Sequence, residues 1–420
     1  MSAPESPPPE APTTTATIWV MKFGGTSVAT PELMQNAAAR IRARREEGHR
    51  VVVVVSAMGD TTDRLLNLAR KVTKSPPQRE LDVLLSAGEQ QSMALLSIVL
   101  EAEGIPAISF SGRQGGIRTD DRYSQARIVS IDPSRIHAEL DRDRVVVVAG
   151  FQGINEHEDI TTLGRGGSDT SAVALAAALD ARACEILTDV DGVYTADPRI
   201  VKGAQRMERL SSDEMLEMAT LGARVLNSRS VEVARRFDVP LVVASSTKPG
   251  SGTRIEAAEE QLAMEQVVVR AITDDPAVRK VSLVHVPDQP GVAAKVFEVL
   301  GEAHVPVRLI VQAQSYEKHN DITLVVPDEA PLDEALLQKV VDKVGGESWV
   351  LDEDVALLSV VGEGIAREPA IAATIFRTLA AEDVNIDVIS TSNLVISCVV
   401  PQSRLARAAE ALHTALVETE

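Results

Sequence analysis

Four segments of the chain set glycines or acidic residues beside hydroxyl-bearing and basic ones, at spacings suited to a phosphate and a small carboxylate. Lys22-Phe-Gly-Gly-Thr-Ser follows an apolar run; its two glycines let the backbone approach an anion, N–H groups opening the next helix can cradle phosphate, and Lys22 adds a point charge. A tight strand-to-helix turn with a solvated lysine explains these residues equally well. Thr161-Thr-Leu-Gly-Arg-Gly-Gly-Ser-Asp-Thr-Ser-Ala precedes an Ala/Leu-rich helix that Ser168 or Asp169 can cap. It also sets Arg165 among three glycines, where the guanidinium can grip a carboxylate through two hydrogen bonds. A bare glycine loop accounts for everything there except Arg165, so a functional role is favoured.

The third segment, Leu187-Thr-Asp-Val-Asp-Gly-Val-Tyr-Thr-Ala-Asp-Pro-Arg, runs from a strand into a loop. Asp189, Asp191 and Asp197 are acceptors for ribose hydroxyls or Mg2+-bound waters, Tyr194 offers a flat face to a base, and Arg199 can meet phosphate. Taken alone, Asp191-Gly192 and Asp197-Pro198 are ordinary turn dipeptides. In the fourth, Ser86-Ala-Gly-Glu89, a glycine inside a long helical stretch costs about 1 kcal/mol against alanine, which suggests a helix break or a close ligand. Glu89 by itself reads as a solvated helix residue.

Other chemistries have no matching residues. The chain contains no G-x-x-x-x-G-K-[ST] phosphate loop, no H-R-D or D-F-G segment and no G-x-S-x-G elbow. Its seven histidines show no ligand spacing, and two distant cysteines make no zinc site.

The elements that must position these residues follow an α/β pattern. Ile18–Phe23 and residues 51–56, 145–150 and 185–188 are continuous apolar runs, as strands buried on both faces of a parallel sheet should be. Residues 31–47, 78–103 and 169–180 carry the helical period between them. Ligands bind where the strands of such sheets end, which is where the four segments fall. At 420 residues the chain exceeds one ordinary core. With aromatics at 3%, that core must be Val, Leu, Ile and Ala, and base-stacking platforms are scarce. The net charge of −19 repels nucleic acid and anionic membranes. No uninterrupted apolar run reaches 18 residues, and Cys184 and Cys398 form no disulfide framework, so a cytoplasmic setting is expected. Residues 1–17 are Pro/Thr/Glu-rich and read as a disordered leader.

Downstream, the acidic and weakly patterned residues 255–266 read as a linker, after which the sequence repeats. Pro290-Gly-Val-Ala-Ala-Lys-Val-Phe-Glu-Val-Leu aligns with Pro369-Ala-Ile-Ala-Ala-Thr-Ile-Phe-Arg-Thr-Leu at an offset of 79 residues, and Val305 and Ile310 match Val384 and Ile389. The expected organisation is a leader 1–17, a large domain 18–254, a linker 255–266 and two small βαββαβ modules, 267–345 and 346–420.

Lys22-Phe-Gly-Gly-Thr-Ser, Phe151-Gln-Gly, Gly164-Arg-Gly-Gly-Ser-Asp-Thr-Ser, Thr188-Asp-Val-Asp-Gly-Val-Tyr-Thr-Ala-Asp-Pro-Arg and the tandem repeat, in this order, closely resemble the aspartate kinases. The resemblance runs from about Ile18 to the end of the chain. It implies an amino-acid-kinase-like, mainly parallel sheet with helices on both faces, followed by two ferredoxin-like ACT modules that bind small amino acids. The implied reaction passes the γ-phosphoryl group of ATP, with Mg2+, to the side-chain carboxylate of L-aspartate. By resemblance, Lys22, Gly25, Gly167 and Asp169 are catalytic, and Thr26, Ser27, Ser56, Thr62, Glu89, Phe151, Arg165 and Ser168 line the aspartate side. Gly24, Thr188, Asp189, Tyr194, Asp197, Arg199 and Arg224 line the nucleotide side. Asp288, Val305, Gln312, Asn385, Ile386 and Ser392 would meet an effector such as lysine or threonine, in modules that pair within a homo-oligomer.

The sequence departs from the family pattern at Asn227-Ser228, where His-Pro is usual, at Ala244, and at Gln312-Ala-Gln, His319-Asn320 and Asn393 in the repeat. These last leave the effector open between lysine, threonine and neither. An acetylglutamate- or glutamate-kinase-like enzyme and a non-catalytic amino-acid sensor are the competing readings.

Overall fold

The computed structural model describes residues 17–248, 250–257, 268–314 and 319–418. The expected leader lies outside these except for Thr17, whose carbonyl accepts the Arg50 N–H at 3.0 Å, and most of the expected linker lies outside as well. The described residues fall into two compact units, one comprising the chain up to Asp189 with Arg236–Gly250, the other Val190–Arg235 with the chain after Ser251.

The first unit begins with β1 (Ile18–Phe23), α1 (Pro31–Glu46), β2 (Arg50–Val55), α2 (Thr61–Val72), α3 (Gln78–Ala102) and β3 (Ala107–Phe110). It continues with β4 (Ile117–Thr119), β5 (Ile128–Ile131), α4 (Ser134–Leu140), β6 (Val145–Ala149), β7 (Gln152–Ile154), β8 (Ile160–Thr162), α5 (Gly167–Ala178) and β9 (Ala183–Thr188). After β10 (Arg209–Ser211), α6 (Ser212–Thr220) and α7 (Ser228–Arg236), β11 (Leu241–Ser245) completes it. Six strands lie parallel in the order β11-β9-β1-β2-β6-β3. β1 and β6 are buried along their whole length, as their unbroken apolar runs require. α1 starts where Thr30 accepts the Leu33 N–H and Pro31 takes the first helical position, and it packs Met34, Ala37, Ala38 and Ile41 into the core. The strands β5-β4-β7-β8 form a small second sheet.

α3 is long and apolar enough in composition to cross a membrane, yet Met93, Leu96 and Leu100 belong to the core under the sheet. It runs unbroken through Gly88, contrary to the helix break its glycine suggested. The close approach there is made by α2 and the chain before it: a Cβ on Gly88 would stand 3.1 Å from Thr61 Cγ2 and 3.2 Å from Ala57 Cβ.

In the second unit, β10 pairs in parallel with β12 (Thr253–Glu256), so the expected linker starts inside a strand. The chain then forms β13 (Val268–Asp275), β14 (Val278–Pro287), α8 (Val292–Glu302), β15 (Leu309–Gln314), β16 (His319–Pro327), α9 (Glu334–Val344) and β17 (Ser348–Asp352). The second copy is β18 (Val355–Glu363), α10 (Pro369–Ala381), β19 (Val388–Thr391), β20 (Val395–Pro401) and α11 (Leu405–Leu416). The sheets are ordered β15-β16-β14-β17 and β13-β18-β20-β19. Each module therefore takes a strand from the other's expected stretch: β13 pairs with β18, and β17 pairs with β14. The repeat is visible down to its turns. His304 (φ 55) and Asp383 (φ 54) are left-handed at equivalent places, and the next residues, Val305 and Val384, each donate a 2.9 Å bond to Leu300 and Leu379.

The large domain expected over 18–254 also divides differently. Ala196 and Val201 sit in one core with Leu412 and Leu416 of the second module, which draws the stretch after Asp189 into the second unit.

Candidate active site

Backbone hydrogen bonds gather the carboxyl ends of the central strands. Gly24 N–H donates to Leu187 O (3.2 Å), Ser56 N–H to Phe23 O (3.1 Å), Gly150 N–H to Val55 O (3.0 Å) and Ser246 N–H to Thr188 O (2.8 Å). The loops after β1 and β2 are stitched together where Gly59 N–H donates to Gly25 O at 3.0 Å. Gly25 admits no side chain there, since a Cβ would lie 2.6 Å from Ala57 O.

Lys22, next to last in β1, is 9% exposed, and its Nζ lies 2.5 Å from Asp169 Oδ1 in the first turn of α5. A buried ammonium needs such a partner. Glu89 faces the same region and is buried, not solvated as its helix position alone suggested. Burial pushes its carboxyl up to about 8, against the opposing pull of the Ala57 backbone N–H and of the Lys22 charge. Its Oε2 has no hydrogen-bond partner among the described residues. A paired cation and a carboxyl with one unpartnered oxygen are thus both held out of water.

The helix cap differs from expectation. The cap position of α5 is Gly166 (φ 69), with no side-chain cap, while Ser168 and Asp169 lie inside the first turn. Asp169 is thereby turned to Lys22 instead of to the helix end. Ser168 is packed against Gly150, where a Cβ would approach its Oγ to 3.0 Å. Arg165 is exposed in the turn between Gly164 and Gly166. Phe151 is left-handed (φ 65), a costly conformation for an aromatic residue. It is held by its N–H to Ser171 Oγ (3.1 Å) and by its carbonyl accepting from Leu163 N–H (2.9 Å). Ser171 closes the motif that begins at Gly164, but its role was not readable there because its partner, Phe151, lies 20 residues away in sequence.

Thr26 is exposed, whereas the Ser27 hydroxyl is buried and donates to Leu187 O at 3.4 Å. Ser56 follows β2 directly and Thr62 lies in the first turn of α2, both half-buried. Thr188 donates its hydroxyl to the exposed Asp189 at 3.1 Å. The remaining nucleotide-side residues belong to the second unit. Tyr194 donates its hydroxyl to Asp191 (2.8 Å), and Asp197 accepts from Arg199 Nη2 at 2.6 Å, which holds the Asp197 carboxyl below its ordinary range. Arg224 stands 3.9 Å from Asp275. Of the effector residues, Asp288 accepts from Asn320 Nδ2 (2.9 Å), Asn385 donates to Asp387 (3.1 Å), and Gln312 is exposed on β15. Val305 is buried, Ile386 packs against the second module's core, and Ser392 is exposed after β19.

Known proteins carry the same arrangement of domains. Residues 17–245 match the amino acid kinase family, and residues 281–336 and 358–416 match the ACT domain. The chain is 45% identical to an aspartate kinase of Pseudomonas putida over 94% of its own length and 96% of that protein's. Aspartokinase III of E. coli, in a crystal structure with aspartate and ADP, is 27% identical with a TM-score of 0.82, covering 95% of this chain and 99% of that one. The same protein with lysine and aspartate gives a TM-score of 0.72 at 26% identity, over 95% and 99% of the two chains.

The chain belongs to the aspartate kinases. It transfers the γ-phosphoryl group of ATP to the side-chain carboxylate of L-aspartate, giving 4-phospho-L-aspartate, the first step towards lysine, threonine and methionine.

Proposed function

We propose that the polar cluster at the ends of β1, β2 and α5 carries out this transfer, with Lys22 as the principal charge on the moving phosphoryl group. The observation that carries the proposal is the buried Lys22–Asp169 pair at 2.5 Å. Aspartate's carboxylate is already ionised at neutral pH, with an ordinary pKa of ~3.9, so no general base is needed. What opposes reaction is the meeting of two anions. Lys22, kept in place by Asp169, offers its remaining N–H bonds to the transferring oxygens, and the backbone N–H groups of Gly25 and Gly167 add fixed dipoles. Gly24, Thr188 and Asp189 serve the nucleotide in the first unit; Tyr194, Asp197, Arg199 and Arg224 are assigned to the nucleotide by the family resemblance.

On the aspartate side, Arg165 grips the α-carboxylate and Glu89 receives the α-ammonium, whose charge offsets the burial of the glutamate. Phe151, Ser168, Ser56, Thr26, Ser27 and Thr62 shape the remaining wall. The residues fit a Mg2+ that arrives on ATP: Asp169 is engaged by Lys22, and Asp189, exposed and paired with the Thr188 hydroxyl, would meet the ion's bound waters. The ion supplies charge neutralisation across the phosphates.

The two ACT modules are read as the seat of an amino-acid effector, lysine or threonine, held by the turns at Val305 and at Asn385 and Ile386 with Asp288, Gln312 and Ser392. Pairing of modules in a homo-oligomer would complete that site, and a cytoplasmic location fits the reaction. The experiment that tests the aspartate side is parallel kinetics on Arg165→Ala. KM for aspartate should rise far more than KM for ATP, and the reverse would assign Arg165 to the nucleotide.

A further inference from the structure

Asp82 is wholly buried, on the same helix as Glu89 and seven residues before it, so the two carboxylates share a face of α3. Its two oxygens accept four hydrogen bonds from two separate segments. Ser124 donates its N–H to Oδ2 (2.8 Å) and its hydroxyl to Oδ1 (3.0 Å). Thr162 donates its N–H to Oδ2 (2.8 Å) and its hydroxyl to Oδ1 (2.7 Å). A buried carboxylate survives only when its acceptor capacity is met, and here both neighbours meet it twice.

The two segments it ties are themselves joined, through Ala126 N–H donating to Thr162 O at 2.9 Å. Ser124 is left-handed (φ 64), a conformation a serine keeps only when its surroundings over-determine it, and the two bonds to Asp82 do that. Thr162 ends β8 three residues before Arg165, and the next N–H, that of Leu163, donates to the carbonyl of the strained Phe151. The Arg165 turn and the Glu89 helix are therefore fastened to each other at one carboxylate.

We propose that Asp82 is a positioning residue for the aspartate site, fixing the distance between the group that takes the α-carboxylate and the group that takes the α-ammonium. The proposal rests on the roles given above to Arg165 and Glu89. Aspartate spans both ends of this strut, whereas ATP does not use it, so loosening the strut weakens one substrate selectively. A purely structural staple would lower stability and leave the ratio of the two KM values unmoved.

The test uses the full-length protein with Asp82→Asn, Thr162→Val and Thr162→Ser, each substrate varied against saturating partner, with Tm measured alongside. Asp82→Asn and Thr162→Val should raise KM for aspartate by about 10-fold and KM for ATP by less than about twofold, a misplacement effect on one ligand. Thr162→Ser, which keeps the hydroxyl, should restore the wild-type KM. A lower Tm with unchanged aspartate KM, or equal rises in both KM values, overturns the proposal. Should Asp82→Asn fail to fold, the Thr162 pair decides alone. Arg165→Ala, assayed beside them, separates the two levels. If it leaves aspartate KM unchanged, the assignment of Arg165 falls; if it raises KM while the Asp82 and Thr162 variants do not, only the positioning role falls.

Discussion

Lys22 Nζ stands 2.5 Å from Asp169 Oδ1, joining the end of β1 to the first turn of α5 with both side chains almost out of water. The pair fixes where positive charge sits before any substrate arrives, and pre-set charge acts on a developing transition state without reorganisation.

Lys22→Met should therefore reduce kcat by about 10²-fold or more while leaving the fold intact. Methionine keeps the aliphatic stem that packs at the end of β1 and removes only the charge. Circular dichroism and steady-state kinetics on the same preparation check both halves of the expectation.

Glu89 predicts a pH dependence. Burial pushes its carboxyl up to about 8, so below that value it holds a proton that an arriving α-ammonium must expel. Raising pH from about 6 to about 8 should then lower KM for aspartate, by at most about tenfold per unit, and the fall should level off above it. The same shift means the folded state binds more protons than the unfolded one over this window, so stability also declines as pH rises through it. Glu89→Gln should remove both trends; a retained slope in that variant would assign them to another group.

The order of strands and helices in the first unit was legible because fully buried parallel strands must be continuous apolar runs; Lys22 and Gly25 stand where the first run ends, and Asp169 opens the helix α5. Asp82 was not legible. A lone aspartate in a helix has no partner in sequence, since Ser124 and Thr162 lie 42 and 80 residues away. Its spacing of two helical turns from Glu89 was the available signal. Gly88 misled as to a helix break because a glycine in a helix marks any close approach, and Thr61 of α2 and Ala57 before it make one here. The strands exchanged between the modules, β13 and β17, were hidden because chain order does not state sheet membership.

His413 ties the second module to the segment that carries Tyr194 and Asp197. It is fully buried on α11, its Nε2 2.8 Å from Thr195 Oγ1 and its Nδ1 3.2 Å from Glu418 Oε1. With Nδ1–H donated to the carboxylate, Nε2 accepts the threonine hydroxyl. His413→Ala should destabilise the protein by about 2 to 4 kcal/mol through the cavity and the orphaned hydroxyl, seen as a lower Tm. KM for ATP should rise more than KM for aspartate.

Removing the chain beyond 257 takes away α11 and the core that covers Ala196 and Val201. The domain bounds read from the sequence, with a large domain over 18–254, would make such a truncation a self-contained catalytic domain. The shared core predicts instead a chain with raised ATP KM and exposed apolar surface, detectable by dye binding and by aggregation on concentration.

The central claim, transfer to a carboxylate through a site organised by Lys22, is tested by trapping the acyl phosphate with hydroxylamine. Wild-type protein given ATP and L-aspartate should accumulate the hydroxamate in step with ADP, N-acetylglutamate or glutamate in place of aspartate should give none, and folded Lys22→Met should give about one hundredth of the signal or less. Near-normal hydroxamate from well-folded Lys22→Met would contradict the account.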